Sequence, residues 1–269
     1  MILDVHRKDQ VCYWTLNQPK AANSLGLRMY HALDLALQQL EEDVQRDVSS
    51  GEGEALVTRV LVIRARSGPG RNPPLWVAGG DLKELVHLKS KAQGRDYAEK
   101  MTRLCRRFAD LPLPVIFEIH GLVIGGGVEF VLAGDFRLAS AESCFSLRQL
   151  MTGVPCGYGS SSRLISLIGE SRAWSLLTKK EPFSAQQAYD WGLLHSLHAN
   201  PDLLRQATED LCLLLKSIEP RAFAAQKKMF ALTQPSARKT EAELDLFAEA
   251  WMNPGHQDFL RRFLERSRV

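Results

Sequence analysis

The sequence has no CxxC pair, and its five cysteines, an odd number, are spread from Cys12 to Cys212. Structural zinc sites and disulfide frameworks usually show closely spaced or evenly numbered cysteines. The pattern is typical of a protein from a reducing compartment, and we expect a cytoplasmic location. The histidines are scattered as well, so no metal site is predicted.

The chain also lacks a strong charge imbalance, because 34 Lys and Arg residues face 31 Asp and Glu residues. The arginine-rich end, RRFLERSRV, is interpreted as a solvated helix face, so nucleic acid is not an expected partner. The most hydrophobic region, residues 111–134, is broken by prolines, carboxylates and glycines and does not predict a membrane span. The N-terminus lacks the charged start and apolar run of a secretory signal.

Hydrophobic periodicity predicts an alternating α/β layout. ILDVHRK and VCYWTL read as paired strands, and residues 25–44 have the apolar spacing of an amphipathic helix. Further strands are predicted at RVLVIRA, VIFEIHG, FRLAS and CFSL, and helices near residues 98–110, from about Gly126, and after the capping box at Ser184. Only helical patterns follow Pro201. We therefore expect an α/β core over residues 1–197 and a helical region over residues 198–269.

Three consecutive glycines in GLVIGGGVE do not fit the common nucleotide-binding loops. Counting GxGxxG from Gly125 places Gly127 correctly but Phe130 where the third glycine is required, and no GK[ST] is present. The remaining interpretation is a strand that ends at His120 and is followed by a glycine turn and a helix. The first amides of such a helix have no partners within it and favour an oxyanion.

Glu129 stands three residues after Gly126, on the same face of the predicted helix. An anion-binding amide and a carboxylate able to move protons would then adjoin. Burial among apolar neighbours is expected to raise the pKa of this carboxyl group. The alternative is a tight packing turn in which Glu129 is paired with an arginine or with solvent, and this stretch alone leaves both open.

A second glycine turn, WVAGGDLKEL, again follows an apolar segment and opens a helix near Asp81. With LNQPKAANSL and HGLVIGGGVEFVLAGDFRLASAESCFSLRQLMTGVP, it resembles the crotonase superfamily, the enoyl-CoA hydratase/isomerase family. The resemblance runs in order from Leu16 to about Glu265. It implies an α/β spiral of ββα turns with a helical C-terminal region that builds trimers, often paired into hexamers.

The resemblance also implies the roles of individual residues. The backbone amides of Gly80 and Gly126 match those that bind the thioester oxygen of an acyl-CoA, and Glu129 matches the first catalytic glutamate. The second catalytic glutamate of the family is replaced by Gln149. Coenzyme A is then part of the substrate, and no separate cofactor is expected.

The same motifs imply a binding surface for coenzyme A. The residues expected to line it are Lys20, Ala21, Ala22, Ala78, Asp81 and Leu82. Tyr158, where the family usually has small residues, is predicted to project into or beside the pocket. A hydrogen-bonded surface tyrosine is the alternative.

The missing second acid leaves several activities open. The side chain of Gln149 can hold a water molecule but cannot accept its proton at ordinary pH. We predict an enoyl-CoA hydratase or a similar lyase first and a one-base isomerase second, with decarboxylation or thioester hydrolysis also compatible. A non-catalytic protein that binds acyl-CoA or RNA is a further alternative.

The helical end suggests self-association. Its apolar stripe, including Leu244, Phe247 and Trp251, exceeds what one small core is expected to bury. We therefore predict a homotrimer or homohexamer.

Overall fold

The computed structural model describes residues 1–50, 58–68, 73–232 and 237–266. Two sheets organise the chain. The larger contains β1 (Leu3–Lys8), β2 (Val11–Leu16), β3 (Val60–Ala65), β5 (Val115–Ile119), β7 (Phe136–Ser140) and β10 (Ser196–His198), in that spatial order. The smaller contains β4 (Leu75–Val77), β6 (Leu122–Ile124), β8 (Cys144–Ser146) and β9 (Phe183–Ser184).

Helices follow the strands turn by turn. They are α1 (Leu27–Ser50), α2 (Leu82–Leu85), α3 (Lys91–Asp110), α4 (Gly126–Val131), α5 (Ser161–Ile168), α6 (Glu170–Leu177), α7 (Ala185–Asp190), α8 (Pro201–Ser217), α9 (Pro220–Ala231), α10 (Ala237–Trp251) and α11 (Pro254–Arg266). Successive turns of the chain add one strand to each sheet, as β3 and β4, then β5 and β6, then β7 and β8. This is the predicted spiral of ββα turns.

The strand before the triple glycine differs from the prediction. Strand β5 ends at Ile119, and the chain then crosses at Gly121, which has a φ of 121°, into the separate strand β6. Strand β6 pairs with β4 and β8 in the second sheet. Two short strands separated by one turn look like a single apolar run in sequence, and only sheet pairing separates them.

Aromatic side chains fix helix α4 against the larger sheet. Phe130 meets Phe117 and Phe108 edge to face, with ring centroids 5.0 and 5.3 Å apart, and Phe108 meets Trp14 at 5.8 Å. All four side chains are fully buried. Because Phe130 follows Glu129 directly, this packing also fixes the direction of the glutamate.

Helix α10 packs along α3 in the same chain, and this overturns the assignment of its apolar stripe to an oligomer interface. Leu244, Phe247 and Trp251 are all buried. A side chain at Gly94 would collide with the Trp251 ring, and one at Gly157 would collide with Phe247. Glycines on the core side thus make room for residues that the sequence pattern assigned to another subunit.

After His198, only helices occur in the part of the chain that the structure describes. The division at residue 197 stays a prediction. The arginine-rich end lies on α11, where Arg261 and Arg262 are exposed and pair with Asp258, while residues 267–269 lie outside the described ranges. Across those ranges, no helix is both long and apolar enough to cross a membrane.

Candidate active site

The two glycine turns predicted from sequence lie against each other. A Cβ atom placed on Gly79 would stand 2.5 Å from the backbone nitrogen of Gly126. Pairing of β4 with β6 brings the ends of these strands together, and each strand is followed by its turn. Gly125 enters α4 with a φ of 55°, a left-handed conformation that glycine adopts without a steric penalty.

Two amides at these turns have free N–H groups. Neither Gly80 nor Gly126 donates a hydrogen bond to any residue in the described ranges. The neighbouring amides are used: that of Ala78 donates to Ala22 O at 2.9 Å, and that of Gly125 to Ser146 O at 2.7 Å. Unpaired amides beside the start of a helix suit a partly negative oxygen.

The segment predicted to bind coenzyme A is tied to the first glycine turn. Besides the Ala22–Ala78 bond, the amide of Leu25 donates to Gly79 O at 2.9 Å. Ala22 has a φ of 57°, so the chain reverses there and presents its carbonyl group to the turn. The predicted residues at 20–22 and 78–82 therefore lie together, although their contact with coenzyme A stays a prediction.

Asp81 has a structural role at this turn. Its carboxylate caps the four-residue helix α2 by accepting from the Lys83 amide at 3.0 Å, and it also accepts from Ser24 Oγ at 3.1 Å. Leu82 follows as the first helical residue and is half-buried. These bonds hold Gly80 in place, directly before the cap.

Glu129 is 1% exposed and is held by three hydrogen bonds. Its Oε1 accepts from Gln149 Nε2 at 2.6 Å, and its Oε2 accepts from the Tyr158 amide at 2.9 Å and from Ser160 Oγ at 2.7 Å. Within the described ranges its hydrogen-bond partners include no arginine and its side chain is buried, so the pairing with an arginine or with bulk solvent that the packing-turn alternative assumed is not found there. Burial raises the pKa of Glu129, and the bonds from Ser160, Tyr158 and Gln149 oppose that rise.

Gln149 has one buried atom without a partner. Its Nε2 donates to Glu129, which leaves Oε1 as the free acceptor, and Oε1 makes no hydrogen bond within the described ranges. The residue is 7% exposed. An unpaired buried acceptor costs free energy until a donor reaches it. This carbonyl oxygen can therefore accept a hydrogen bond from an O–H or N–H group outside these ranges.

Tyr158 is not the surface tyrosine that the sequence left open, because it is only 4% exposed. Its hydroxyl group contacts that of Tyr97, and either oxygen serves as the donor. Its ring lies beside Gly126: a Cβ atom on Gly126 would stand 2.5 Å from a ring carbon. Its contact with substrate stays a prediction.

Two residues of this site were not identified from sequence. Ser160 belongs to a run of three serines and carries no distinguishing signal. Tyr97 falls on the apolar face of α3 with Met101 and Leu104, where an aromatic residue looks like ordinary core. Their roles depend on contacts with Glu129 and Tyr158, which lie far away in the chain.

Comparison with known proteins identifies the family of the chain. Residues 59–269 match the family model described as enoyl-CoA hydratase/isomerase. A probable enoyl-CoA hydratase of Bacillus subtilis (strain 168) is 26% identical over 258 residues, covering 95% of this chain and 93% of the relative.

Solved structures agree in fold. Enoyl-CoA hydratase from Bacillus halodurans superposes with a TM-score of 0.82 at 18% identity, covering 97% of this chain and all of that one. A methylmalonyl-CoA decarboxylase superposes with a TM-score of 0.79 at 21% identity, covering 99% and 96% of the two chains. The chain is therefore an enzyme of the enoyl-CoA hydratase/isomerase family, within the crotonase superfamily.

Proposed function

We propose that this protein hydrates the double bond of an enoyl-CoA. The amides of Gly80 and Gly126 bind the thioester oxygen, and Glu129 transfers the protons. Each preset amide of this kind contributes about 3 kcal/mol to stabilising the developing oxyanion. The observation that carries the proposal is the contact between Glu129 and Gln149, with Glu129 on the same short helix as the free Gly126 amide.

The free Oε1 of Gln149 favours hydration over isomerisation. An enoyl group has no donor for this oxygen, whereas a water molecule, or the hydroxyl group of the hydrated product, has one. A water bound here donates one hydrogen to Gln149 Oε1 and the other to Glu129 Oε1. Both oxygens belong to one hydrogen-bonded pair. Gln149 then orients the water molecule, and Glu129 both orients it and activates it by accepting its proton.

The reaction balances with one carboxylate. Glu129 removes a proton from water as the water oxygen bonds to C3 of the enoyl group. The C2–C3 π electrons move toward the thioester, and the resulting enolate oxygen is stabilised by the Gly80 and Gly126 amides. Glu129 then returns the proton to C2, which yields the 3-hydroxyacyl-CoA. Burial raises the pKa of Glu129, and a raised pKa makes its carboxylate a stronger base for removing the proton from water.

A one-base isomerase is the second candidate. The observation that favours it is that Glu129 makes its side-chain contacts with Gln149 and Ser160, neither of which is an acid. Moving a double bond from C3 to C2 requires only that one carboxylate removes a proton from C2 and returns it to C4.

Two substrates and one substitution test the proposal. With crotonyl-CoA, the wild type should remove the absorbance of the conjugated thioester, and Glu129→Gln should slow this by at least about 100-fold. Binding of acetoacetyl-CoA should change little, because both glycine amides remain. Turnover of a 3-enoyl-CoA without hydration of crotonyl-CoA would favour the isomerase. Equal turnover by Glu129→Gln and wild type would refute acid-base catalysis by Glu129.

A further inference from the structure

A pair of tyrosines covers the two glycines whose amides are free. A Cβ atom on Gly80 would stand 2.5 Å from the Tyr97 hydroxyl oxygen, and one on Gly126 would stand 2.5 Å from a Tyr158 ring carbon. The two rings meet edge to face, with centroids 6.1 Å apart at 68°. The phenol pair thus lies beside both turns that the proposed reaction uses.

The pair is fixed in this position. The hydroxyl groups of Tyr97 and Tyr158 bond to each other, and both residues are buried. Burial raises the pKa of each phenol, so both are neutral and keep their hydrogen bond at physiological pH. The backbone of Tyr158 is held as well, because its amide donates to Glu129. Moving the ring requires breaking buried contacts.

A cavity of about 350 Å³ also reaches Tyr158. Its lining mixes apolar residues such as Leu132 and Ala133, which directly follow α4, with charged ones such as Asp135, Arg137 and Lys227. This volume is within the usual range for a small-molecule site. Glu129, Gly80 and Gly126 are not part of its lining, whereas Tyr158 contacts both Glu129 and Gly126.

The position of the acyl group follows from the proposed function, on which this inference depends. If the thioester oxygen lies at the Gly80 and Gly126 amides and Glu129 reaches C2, then C2 and C3 lie next to Tyr158. The ring of Tyr158 contacts Gly126 and its amide contacts Glu129, so the residue lies beside both groups that would act on the acyl group.

We propose that Tyr158 determines acyl-chain specificity by closing the acyl end of the site, restricting it to short acyl groups and separating it from the cavity beyond. Tyr97 is a positioning residue that holds the Tyr158 ring through its hydroxyl group. On this proposal, removing the ring should open the acyl end toward the cavity, so that longer chains bind more tightly. The discrimination is steric, so it depends on the ring and much less on the hydroxyl group.

Binding of 3-ketoacyl-CoA ligands tests this without depending on which reaction is catalysed. Dissociation constants are measured by calorimetry for acetoacetyl-CoA and for 3-ketodecanoyl-CoA. The wild type should bind the four-carbon ligand at least about tenfold more tightly than the ten-carbon ligand. Tyr158→Ala should reduce that ratio by at least about tenfold, mainly by strengthening binding of the longer ligand.

Matched variants separate the ring from other causes. Tyr158→Phe keeps the ring and should keep the ratio, and the exposed Tyr189→Ala should leave both constants unchanged. Tyr158→Leu provides a second shortened side chain if thermal unfolding shows that Tyr158→Ala is not folded. A wild type that binds both ligands equally, or shortened folded variants that keep the ratio, would overturn the role of Tyr158. Failure of the wild type to bind acetoacetyl-CoA would instead refute the proposed function.

Discussion

Gly79 and Gly126 approach so closely that a single methyl group does not fit between them: a Cβ atom on Gly79 would stand 2.5 Å from the Gly126 nitrogen. This contact sets the separation of the two turns that hold the free amides of Gly80 and Gly126. It joins the end of β4 to the start of α4. The distance between the two proposed oxyanion-binding amides therefore depends on Gly79, which is not itself proposed to bind the substrate.

Gly79→Ala tests this spacing. The new methyl group must push the turns apart, so the Gly126 amide moves away from the thioester oxygen. Turnover should fall by about 100-fold, the effect of losing one oxyanion donor. Steady-state kinetics with the substrate identified above provides the measurement. Gly255→Ala is the control for adding a methyl group elsewhere, because the contact there is milder: its Cβ would stand 3.3 Å from the Asn253 side-chain oxygen, and activity should stay near that of the wild type. Full activity in Gly79→Ala would show that the spacing is unimportant.

The pH dependence should report on Glu129 and Ser160. Glu129 must be ionised to remove a proton, and burial raises its pKa, so kcat/KM should rise with pH around a midpoint above that of an ordinary glutamate. The Ser160 hydroxyl stabilises the ionised form, so Ser160→Ala should move that midpoint to still higher pH. The exposed Ser175→Ala is the control. An unchanged midpoint in Ser160→Ala would argue that a different group controls the profile.

Gln149→Glu should restore a second acid to the site. Gln149 Nε2 lies 2.6 Å from Glu129 Oε1, so the two carboxyl groups would lie close together and one would titrate with a raised pKa. Hydration of crotonyl-CoA should increase, with the acid limb of the pH profile moved upward. Loss of hydration at every pH in a folded Gln149→Glu protein would contradict this role for position 149.

A buried ion pair in the wall of the cavity that reaches Tyr158 should contribute to stability. Lys227 Nζ lies 2.7 Å from Asp135 Oδ2, and their side chains are 9% and 22% exposed. Lys227→Met leaves a largely buried carboxylate without its cation and should lower the free energy of unfolding by about 3 kcal/mol. The measurement is urea unfolding at a fixed protein concentration, because association affects apparent stability.

The double variant Asp135→Asn with Lys227→Met removes both charges and should recover most of this loss. Lys228→Met changes an exposed neighbour on the same helix and serves as the control. A double variant that is less stable than Lys227→Met would show that the loss does not come from an unpaired charge.

Self-association remains a prediction, although the apolar stripe on α10 no longer supports it. Leu244, Phe247 and Trp251 are buried within the chain, but Leu213, Leu214 and Met229 on α8 and α9 are between 60% and 62% exposed. We expect a trimer or a pair of trimers, as the family resemblance implies. Light scattering at micromolar concentrations should report three or six times the chain mass, and a monomer would contradict the prediction.

The sequence by itself determined the alternation of strands and helices and the two glycine turns with Glu129 beside one of them. These features are local, because a few neighbouring residues determine each of them. The apolar period indicates a helix or a strand, Ser184 indicates a helix start, and three consecutive glycines indicate a turn. The order of motifs along the chain also pointed to the family, which the comparisons establish.

Only the tertiary structure decided which groups surround Glu129 and what covers the helical end. Gln149, Tyr158 and Ser160 are 20 to 31 residues from Glu129, and Tyr97 is 61 residues from Tyr158. No local preference encodes such contacts. The apolar stripe on α10 could not be assigned from sequence for the same reason. Periodicity indicates that a helix face is buried but not which surface buries it. Here Gly94 and Gly157 give Trp251 and Phe247 their space within the same chain, and packing between distant segments determines that outcome.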